Sequence, residues 1–218
     1  MKFVSPAPGN HSKFLVDGEA GNIECLLAAP NPDHPPVGIS LICHPHPLYG
    51  GALTNKVTYS LAGAALDCGY YALRFNFRGV GQSEGSHDQG LGEAQDTVLL
   101  ARWLRRQYPD LPLLLAGFSF GGYVSLRAAA EVQPQLQVSV APPFNYFDGR
   151  ERPAHPGCPW LLIHGQDDDV VPYADTQAVL PSYEPQPELL SPDGVGHFFH
   201  GRLQELRQQV SEFVSRNS

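Results

Sequence analysis

A serine flanked by glycines stands where an apolar strand pattern gives way to a small-residue helix pattern. The segment GFSFGG covers residues 117–122, with the serine at position 119. A serine on such a sharp turn presents its hydroxyl at the end of a strand, and glycines two positions away on either side avoid collisions with the neighbouring strand and helix. The segment therefore predicts that Ser119 is a nucleophile. Because GxSxG also occurs in ordinary glycine-rich turns, the prediction depends on partners elsewhere in the chain.

Two later loops carry the groups that would activate this serine. A serine hydroxyl attacks poorly until a base takes its proton, and the base must be oriented by an acid. HGQDDDVVP (164–172) follows one apolar run, and GVGHFFH (194–200) follows the last. The order serine, acid, histidine is the one expected for a serine hydrolase built on an α/β sheet. We favour His197 over His200 as the base, because the small residues 194–196 let the loop reach back over the sheet, whereas His200 would cap or pack against the following helix.

The elements that must position these groups alternate between strand and helix. Continuous apolar strands between amphipathic helices predict an α/β fold, with a mostly parallel central sheet, helices on both faces and antiparallel strands at the N-terminal edge. We expect a single domain over residues 1–218, with the site at the carboxyl ends of the strands. The predicted strands are 13–16, 23–28, 37–43, 70–77, 111–117, 136–141, 160–164 and 188–191, the first two forming a hairpin. The predicted helices are 58–66, 92–108, 121–131 and a last one with Leu203, Leu206, Val210, Phe213 and Val214 on one face.

Composition restricts the partners and the compartment. The formal charge is −8, which disfavours nucleic acid and anionic membranes, since both reward a basic patch. The first residues contain no apolar stretch of signal-peptide length, and no apolar run could span a bilayer. The four cysteines, Cys25, Cys43, Cys68 and Cys158, form no CxxC pair, which is typical of free thiols in a reducing compartment. We expect a soluble, cytoplasmic protein with a small-molecule partner.

Five segments together resemble a known superfamily. They are HPHPLYGG (44–51), LRFNFRGVGQSEG (73–85), GFSFGG (117–122), HGQDDDVVP (164–172) and GHFFHG (196–201). They resemble the α/β-hydrolase superfamily, and within it the small bacterial serine hydrolases related to dienelactone hydrolase and to the prolyl oligopeptidase-type esterases. The resemblance extends over most of the chain and implies an α/β-hydrolase fold.

The resemblance also implies a role for each member of a catalytic triad. Ser119 corresponds to the nucleophile, Asp168 to the orienting acid and His197 to the general base. In the resembling proteins the acid commonly stands four residues after the histidine of the HG turn and four before the proline of the VP pair, and both counts give Asp168. Asp167 and Asp169 are the fallback assignments.

An oxyanion hole should be formed by two backbone N–H groups. One belongs to Phe120, the residue after the nucleophile, at a helix N-terminus where the dipole favours negative charge. The other should come from the loop HPHPLYGG (44–51). Prolines 45 and 47 have no N–H, so the candidates are Leu48, which we favour, and Tyr49.

Histidines at HxH and HxxH spacing raise the question of a metal site. His44, His46, His197 and His200 have no acidic residue beside them at a zinc-type spacing, and the triad already accounts for His197. We expect no metal and no cofactor, and we expect His44 and His46 to shape the oxyanion loop through hydrogen bonds. The glycine-rich segment 77–85 lacks the lysine of a phosphate loop, and we expect its Arg78 to pair with Glu84.

The chemistry that follows is acyl transfer to water through an acyl-enzyme. The serine departs from dienelactone hydrolase, whose nucleophile is cysteine. The short connection between the strands ending at 141 and starting at 160 leaves no room for a large cap, which predicts an open site where aromatic side chains receive an apolar group. The expected substrate-binding residues are Pro142, Pro143, Phe144, Tyr146 and Phe147. A small carboxylic ester is the first expectation; a thioesterase or peptidase of the same fold and a non-catalytic binding scaffold are the alternatives.

Overall fold

Eight strands form one sheet in the computed structural model, which describes residues 3–33, 35–145 and 152–218. The strands are β1 (His11–Gly18), β2 (Gly21–Ala28), β3 (Gly38–Cys43), β4 (Tyr70–Phe75), β5 (Leu113–Phe118), β6 (Leu136–Val140), β7 (Trp160–Ile163) and β8 (Glu188–Leu190). The helices are α1 (Lys56–Asp67), α2 (Leu91–Gln107), α3 (Phe120–Val132), α4 (Tyr173–Val179) and α5 (Leu203–Asn217), with short 3₁₀ turns at Pro47–Tyr49 and Leu180–Ser182.

The strand order places the ends of the central strands side by side. It runs β1-β2-β4-β3-β5-β6-β7-β8. β1 pairs antiparallel with β2, and β2 antiparallel with β4, while every pairing from β4 to β8 is parallel. This arrangement confirms the predicted fold class. Because parallel strands all end at one edge, the loops after β3, β5, β7 and β8 meet there.

Helices cover both faces of the sheet, as predicted. The apolar side chains of α2 and α3 pack with alternate residues of β3, β4 and β5 on one face. Those of α1 and α5 pack on the other face, against the residues of the same strands that point the opposite way. Burial on both faces explains why β3 and β5 are apolar along their whole length.

Three short elements were not predicted, namely the helix α4 and the two 3₁₀ turns. The seven-residue helix α4 begins after Pro172 and buries only two side chains, Thr176 and Val179, so it carries little apolar periodicity. The 3₁₀ turn at Pro47–Tyr49 buries none of its three residues. The single domain over residues 1–218 stays a prediction.

No helix in the described ranges has both the length and the apolar character that crossing a bilayer requires. In the connection 141–159 between β6 and β7, the described residues contain no helix or strand.

Candidate active site

Ser119 occupies a strained position between β5 and α3. Its backbone has φ 54° and ψ −125°, a region that non-glycine residues rarely adopt. Its N–H donates to the carbonyl oxygen of Val140, the last residue of β6, at 2.8 Å. The neighbouring strand β6 thus fixes the turn through this hydrogen bond, and the Ser119 side chain projects from the end of β5.

The two glycines beside Ser119 are required by the packing of the turn. A Cβ atom at Gly117 would lie 2.1 Å from the carbonyl oxygen of Gly121. A Cβ atom at Gly121 would lie 2.3 Å from the carbonyl oxygen of Cys43 and 2.4 Å from that of His44. Any side chain at either position would force backbone atoms apart, which confirms the steric prediction for the GxSxG segment.

His197 connects the serine to a carboxylate. Its Nε2 lies 3.0 Å from Ser119 Oγ, and its Nδ1 lies 2.7 Å from Asp168 Oδ2. Because a carboxylate only accepts, Nδ1 carries the proton and Nε2 is left to accept from the serine hydroxyl. The imidazole is 3% exposed and packs against the rings of Phe118 and Phe198, at centroid distances of 4.9 and 5.0 Å. The ring is therefore fixed both by hydrogen bonds and by packing.

Asp168 is the aspartate of the three that faces the histidine. Its Oδ1 accepts from the N–H groups of Val170 at 3.0 Å and Val171 at 2.7 Å, and its side chain is buried. Burial alone would raise the pKa of Asp168, but hydrogen bonds from His164, His197 and the Val171 backbone outweigh it and lower that pKa well below its usual range. Asp167 and Asp169 are both exposed.

A second histidine contacts the same carboxylate, and the sequence reasoning did not give it a role. His164, at the end of β7, is fully buried, with Nε2 3.2 Å from Asp168 Oδ2 and 2.9 Å from the carbonyl oxygen of Val171. Its Nδ1 lies 2.8 Å from the hydroxyl of Thr176 on α4. Since the Val171 carbonyl only accepts, Nε2 carries a proton toward the loop that holds Asp168. The spacing of four residues between His164 and Asp168 was the signal that could have indicated this contact.

The loop 44–51, which is expected to supply an oxyanion donor, holds the N–H groups of both candidates inside its own turn. The N–H of Leu48 donates to His46 Nδ1 at 3.2 Å, and that of Tyr49 donates to the carbonyl oxygen of His46 at 3.1 Å. The N–H of Phe120 belongs to the first turn of α3, where backbone N–H groups point out of the helix N-terminus. The assignment of Phe120, Leu48 and Tyr49 to an oxyanion hole stays a prediction.

His44 and His46 shape this loop through hydrogen bonds, as predicted. His44 donates through Nδ1 to the carbonyl oxygen of Pro45 at 2.6 Å and accepts through Nε2 from the N–H of Phe77 at 2.9 Å. Burial lowers the pKa of His44 to about 4, so the ring is neutral at pH 7 and ties the loop to the segment after β4. In the described ranges, no three His, Cys, Asp or Glu side chains are grouped in a way that could hold a metal ion.

The expected pair between Arg78 and Glu84 is wrong. Arg78 donates from Nε and Nη2 to the two carboxylate oxygens of Asp96 at 2.8 and 2.7 Å, in a buried bidentate pair. Its guanidinium lies against Gly92 of α2, one turn before Asp96. A Cβ atom at Gly92 would lie only 1.8 Å from Arg78 Nη1. Glu84 accepts instead from the N–H of Asn22 at 2.6 Å. The arginine thus fastens the loop after β4 to α2.

The residues expected to bind substrate are only partly described. Tyr146 and Phe147 lie outside the described residues. Pro142 and Pro143 are buried, and Phe144 is 8% exposed in an apolar cluster that also contains Leu126, Trp160 and Tyr183. The Phe144 side chain therefore packs into the interior, and a role in substrate binding stays a prediction for Pro143, Phe144 and Tyr146.

Exposed apolar side chains stand on the loops that carry the candidate site residues, and sequence reasoning did not single them out for substrate binding. Four of the exposed large apolar side chains of the described chain belong to loops that carry candidate site residues, namely Leu48, Tyr49, Val170 and Phe198. We call these four residues the apolar rim. Its aromatic members each contact a ring at the site: Tyr49 lies 4.8 Å from His46, and Phe198 lies 5.0 Å from His197, centroid to centroid.

Known proteins match this chain along most of its length. The model of the family described as X-Pro dipeptidyl-peptidase (S15 family) matches residues 22–152. The structure of XC6422 from Xanthomonas campestris, described as an α/β serine hydrolase without lid, is 39% identical and superposes with a TM-score of 0.88, covering 96% of each chain. An α/β serine hydrolase homologue from Coxiella burnetii is 36% identical, with a TM-score of 0.88 over 97% of this chain and 99% of that one.

A protein from a third bacterium is also similar to this chain in sequence. The uncharacterized protein RP471 of Rickettsia prowazekii (strain Madrid E) is 31% identical in an alignment of 213 positions that covers 93% of this chain and 88% of that protein. The matched family model spans more than half of the chain, and the Xanthomonas structure superposes along nearly all of it. The chain is thus a member of the α/β-hydrolase superfamily with a serine hydrolase fold, and it belongs to the family described as X-Pro dipeptidyl-peptidase (S15 family).

Proposed function

We propose that this protein hydrolyses a small carboxylic ester through an acyl-enzyme, with Ser119 as nucleophile, His197 as general base and Asp168 as orienting acid. The observation that carries the proposal is the chain of two hydrogen bonds from Ser119 Oγ to His197 Nε2 and from His197 Nδ1 to Asp168 Oδ2, at 3.0 and 2.7 Å. Serine, histidine and aspartate in that contact order are the groups that acyl transfer requires.

In the first step, Ser119 Oγ attacks the ester carbonyl carbon while His197 Nε2 takes the hydroxyl proton. His197 then carries protons on both nitrogens, and the ionised Asp168 stabilises the imidazolium through the Nδ1–H bond. The lowered pKa of Asp168 keeps that carboxylate charged throughout the neutral range. Nε2 next gives its proton to the leaving alcohol, and the acyl group remains on Ser119.

In the second step, water replaces the alcohol. His197 Nε2 takes a proton from the water as the water oxygen attacks the acyl carbon, and it returns the proton to Ser119 as the carboxylic acid leaves. The negative charge that develops on the carbonyl oxygen in both steps needs donors near Ser119. The Phe120 N–H at the start of α3 is the first, and one N–H of the loop carrying Leu48 and Tyr49 is the second. Each donor of this kind lowers the barrier by roughly 3–4 kcal/mol.

The surroundings of the serine support this choice of substrate class. The connection 141–159 is too short for a large cap, and the similar Xanthomonas structure is described as lacking a lid. The apolar rim presents side chains that are 46–81% exposed, so an apolar acyl or alcohol group would bury surface from both partners. A small ester with an apolar group fits this open site.

A second candidate is a peptidase, which the matched family description favours. The same triad would attack an amide carbonyl, with the leaving amine taking the proton from His197. An amide that follows proline in a dipeptide is the substrate that the family description names.

One panel of substrates separates these functions. Hydrolysis would be measured for p-nitrophenyl esters of increasing acyl length, for a thioester of matched acyl length and for the p-nitroanilide of an alanyl-proline dipeptide. We expect the esters to have the highest kcat/KM, with KM falling as the acyl chain grows along the apolar rim. The Ser119→Ala variant is the blank for every substrate. Turnover of the anilide above all esters would establish the peptidase in place of the esterase.

A further inference from the structure

A cavity of about 370 Å³ lies away from the candidate triad, between β2 and α1 on the face of the sheet that α1 and α5 cover. Its lining is partly polar, and Leu26, Ala28, Ala62 and Leu66 form an apolar wall on one part of it. Arg74 of β4 lines the cavity as well, opposite Leu26 in the β2–β4 register. The cavity thus combines an apolar wall with a buried cation.

Arg74 lacks the acidic partner that a buried cation normally has. The residue is 8% exposed. Its Nη1 donates to the carbonyl oxygen of Leu53 at 2.8 Å, but its Nε has no hydrogen-bond partner and no carboxylate pairs with it in the part of the chain that the structure describes. Burial lowers the pKa of the Arg74 guanidinium, because the charged form loses water and only Tyr59 nearby favours it. A buried charge without a partner is costly unless a ligand supplies one.

Two other arginines of the same chain indicate what the partner would be. Arg78 donates from Nε and Nη2 to both oxygens of Asp96, and Arg207 donates from Nε and Nη2 to both oxygens of Asp67. In both pairs the Nε–Nη2 edge binds a carboxylate side-on, the geometry that fits two parallel hydrogen bonds. The same edge of Arg74 contains the Nε that has no acceptor.

Tyr59 determines how a ligand would reach this edge. Its ring lies over the guanidinium, 5.0 Å from the Arg74 Cζ atom to the ring centroid, and the residue is 59% exposed. An exposed side chain on the outside of α1 can rotate toward solvent and open the cavity. The cation–π contact at such an exposed site is weaker than a charged bidentate pair.

We propose that this cavity is a binding site for a small-molecule monocarboxylate with an apolar tail. The carboxylate takes the Nε–Nη2 edge of Arg74 after Tyr59 moves aside, and the tail lies along the apolar wall formed by Leu26, Ala28, Ala62 and Leu66. Arg207 lines the same cavity but is already paired with Asp67. The site requires neither Ser119 nor the proposed hydrolysis.

Calorimetric titration with hexanoate tests the proposal, using the Ser119→Ala protein to exclude turnover. We expect one saturable site, about tenfold weaker in Arg74→Lys, because a lysine cannot offer two parallel donors. Arg207→Lys is the matched control from the same cavity, and its affinity should change by less than about threefold, since its exposed pair with Asp67 contributes little. Hexanol, which has the same tail without the charge, should not bind.

If Arg74→Lys does not fold, a second experiment tests the site without a substitution in it. In that experiment, ¹³C-labelled hexanoate should give nuclear Overhauser contacts to the methyl groups of Leu26 and Leu66. Three results would overturn the proposal: no saturable hexanoate binding, affinity equal in Arg74→Lys, or contacts only to other methyl groups. Inorganic phosphate that displaces hexanoate with equal affinity would overturn the assignment to carboxylates.

Discussion

The two halves of the candidate active site differ in how completely the fold organises them. On the base side, Ser119, Asp168 and His197 are 8, 7 and 3% exposed, and hydrogen bonds connect all three. On the oxyanion side, Leu48 and Tyr49 are 70 and 81% exposed, and their N–H groups donate back into the turn that carries them.

The difference follows from the elements that support each half. The base side is held by the ends of β5, β7 and β8 and by helix α3, and of these β5, β7 and α3 are packed into the core. The oxyanion loop depends on a three-residue 3₁₀ turn with no buried residue. Preorganised donors contribute most to catalysis, so a loop whose N–H groups must exchange partners gives up part of that contribution. We therefore expect changes on the base side to cost more activity than changes on the oxyanion side.

The largest effect in this comparison is expected at the acid. Asp168→Asn should lower kcat for p-nitrophenyl acetate by about 10⁴-fold, because the amide favours the wrong tautomer of His197 and cannot stabilise the imidazolium. The matched controls are Asp167→Asn and Asp169→Asn, whose carboxylates are exposed and should change kcat by less than about twofold. Equal losses in all three variants would show that Asp168 is not the orienting acid.

An intermediate effect is expected in the oxyanion loop. Leu48→Pro removes one N–H while keeping a backbone angle that suits a 3₁₀ turn, and Leu48→Ala removes the same side chain but keeps the N–H. If Leu48 supplies the second donor, kcat falls about 10²-fold in the proline variant only. Full activity of Leu48→Pro would move the assignment to Tyr49.

A smaller effect is expected at the buried histidine behind the acid. His164→Asn removes the ring that contacts Asp168 Oδ2, and kcat should fall about tenfold, equivalent to the loss of one charged hydrogen bond. Thr176→Val, which removes only the hydroxyl near His164 Nδ1, should cost less. The initial rate of ester hydrolysis at saturating substrate measures both. Unchanged kcat in His164→Asn would mean that His164 does not position Asp168.

The smallest effect is on stability and depends on pH. A carboxyl whose pKa is lower in the folded than in the unfolded protein stabilises the fold above its unfolded pKa, about 3.9 for aspartate, and loses this contribution as pH falls through the folded value. The free energy of unfolding of Asp168→Asn should therefore lie below that of the wild type at neutral pH, and the gap should narrow below about pH 4. Urea unfolding at a series of pH values measures the gap, and a gap that stays constant would contradict the lowered pKa.

The fold could be predicted from sequence where burial dictates residue type. β3 and β5 are covered on both faces and are apolar throughout, and α5 shows its buried stripe clearly, so their positions were predicted within a few residues. The helix α4 was missed because only two of its seven residues are buried. The partner of Arg78 was wrong because Asp96 lies a full turn inside α2, beyond the reach of an argument from neighbouring residues.

The candidate site, like the fold, has parts that could be predicted from sequence and parts that could not. The turn at Ser119 could be predicted from the segment GFSFGG alone. The collisions that its glycines avoid arise within that turn and with the end of the adjacent strand β3. The contact between His164 and Asp168 was not predicted, since it requires the loop after β7 to fold back on its own first residue. The apolar rim has no signal at all in the sequence, because exposure is a property of the folded loops.

The central claim is that Ser119 is a nucleophile activated by His197. The most direct measurement is mass spectrometry of the intact protein after reaction with a fluorophosphonate, followed by peptide mapping of the adduct. We expect one phosphonyl group, located on Ser119, with labelling slowed by orders of magnitude in His197→Gln and absent in Ser119→Ala. A wild-type protein that stays unlabelled under native conditions, or an adduct that maps to another residue, would contradict the account.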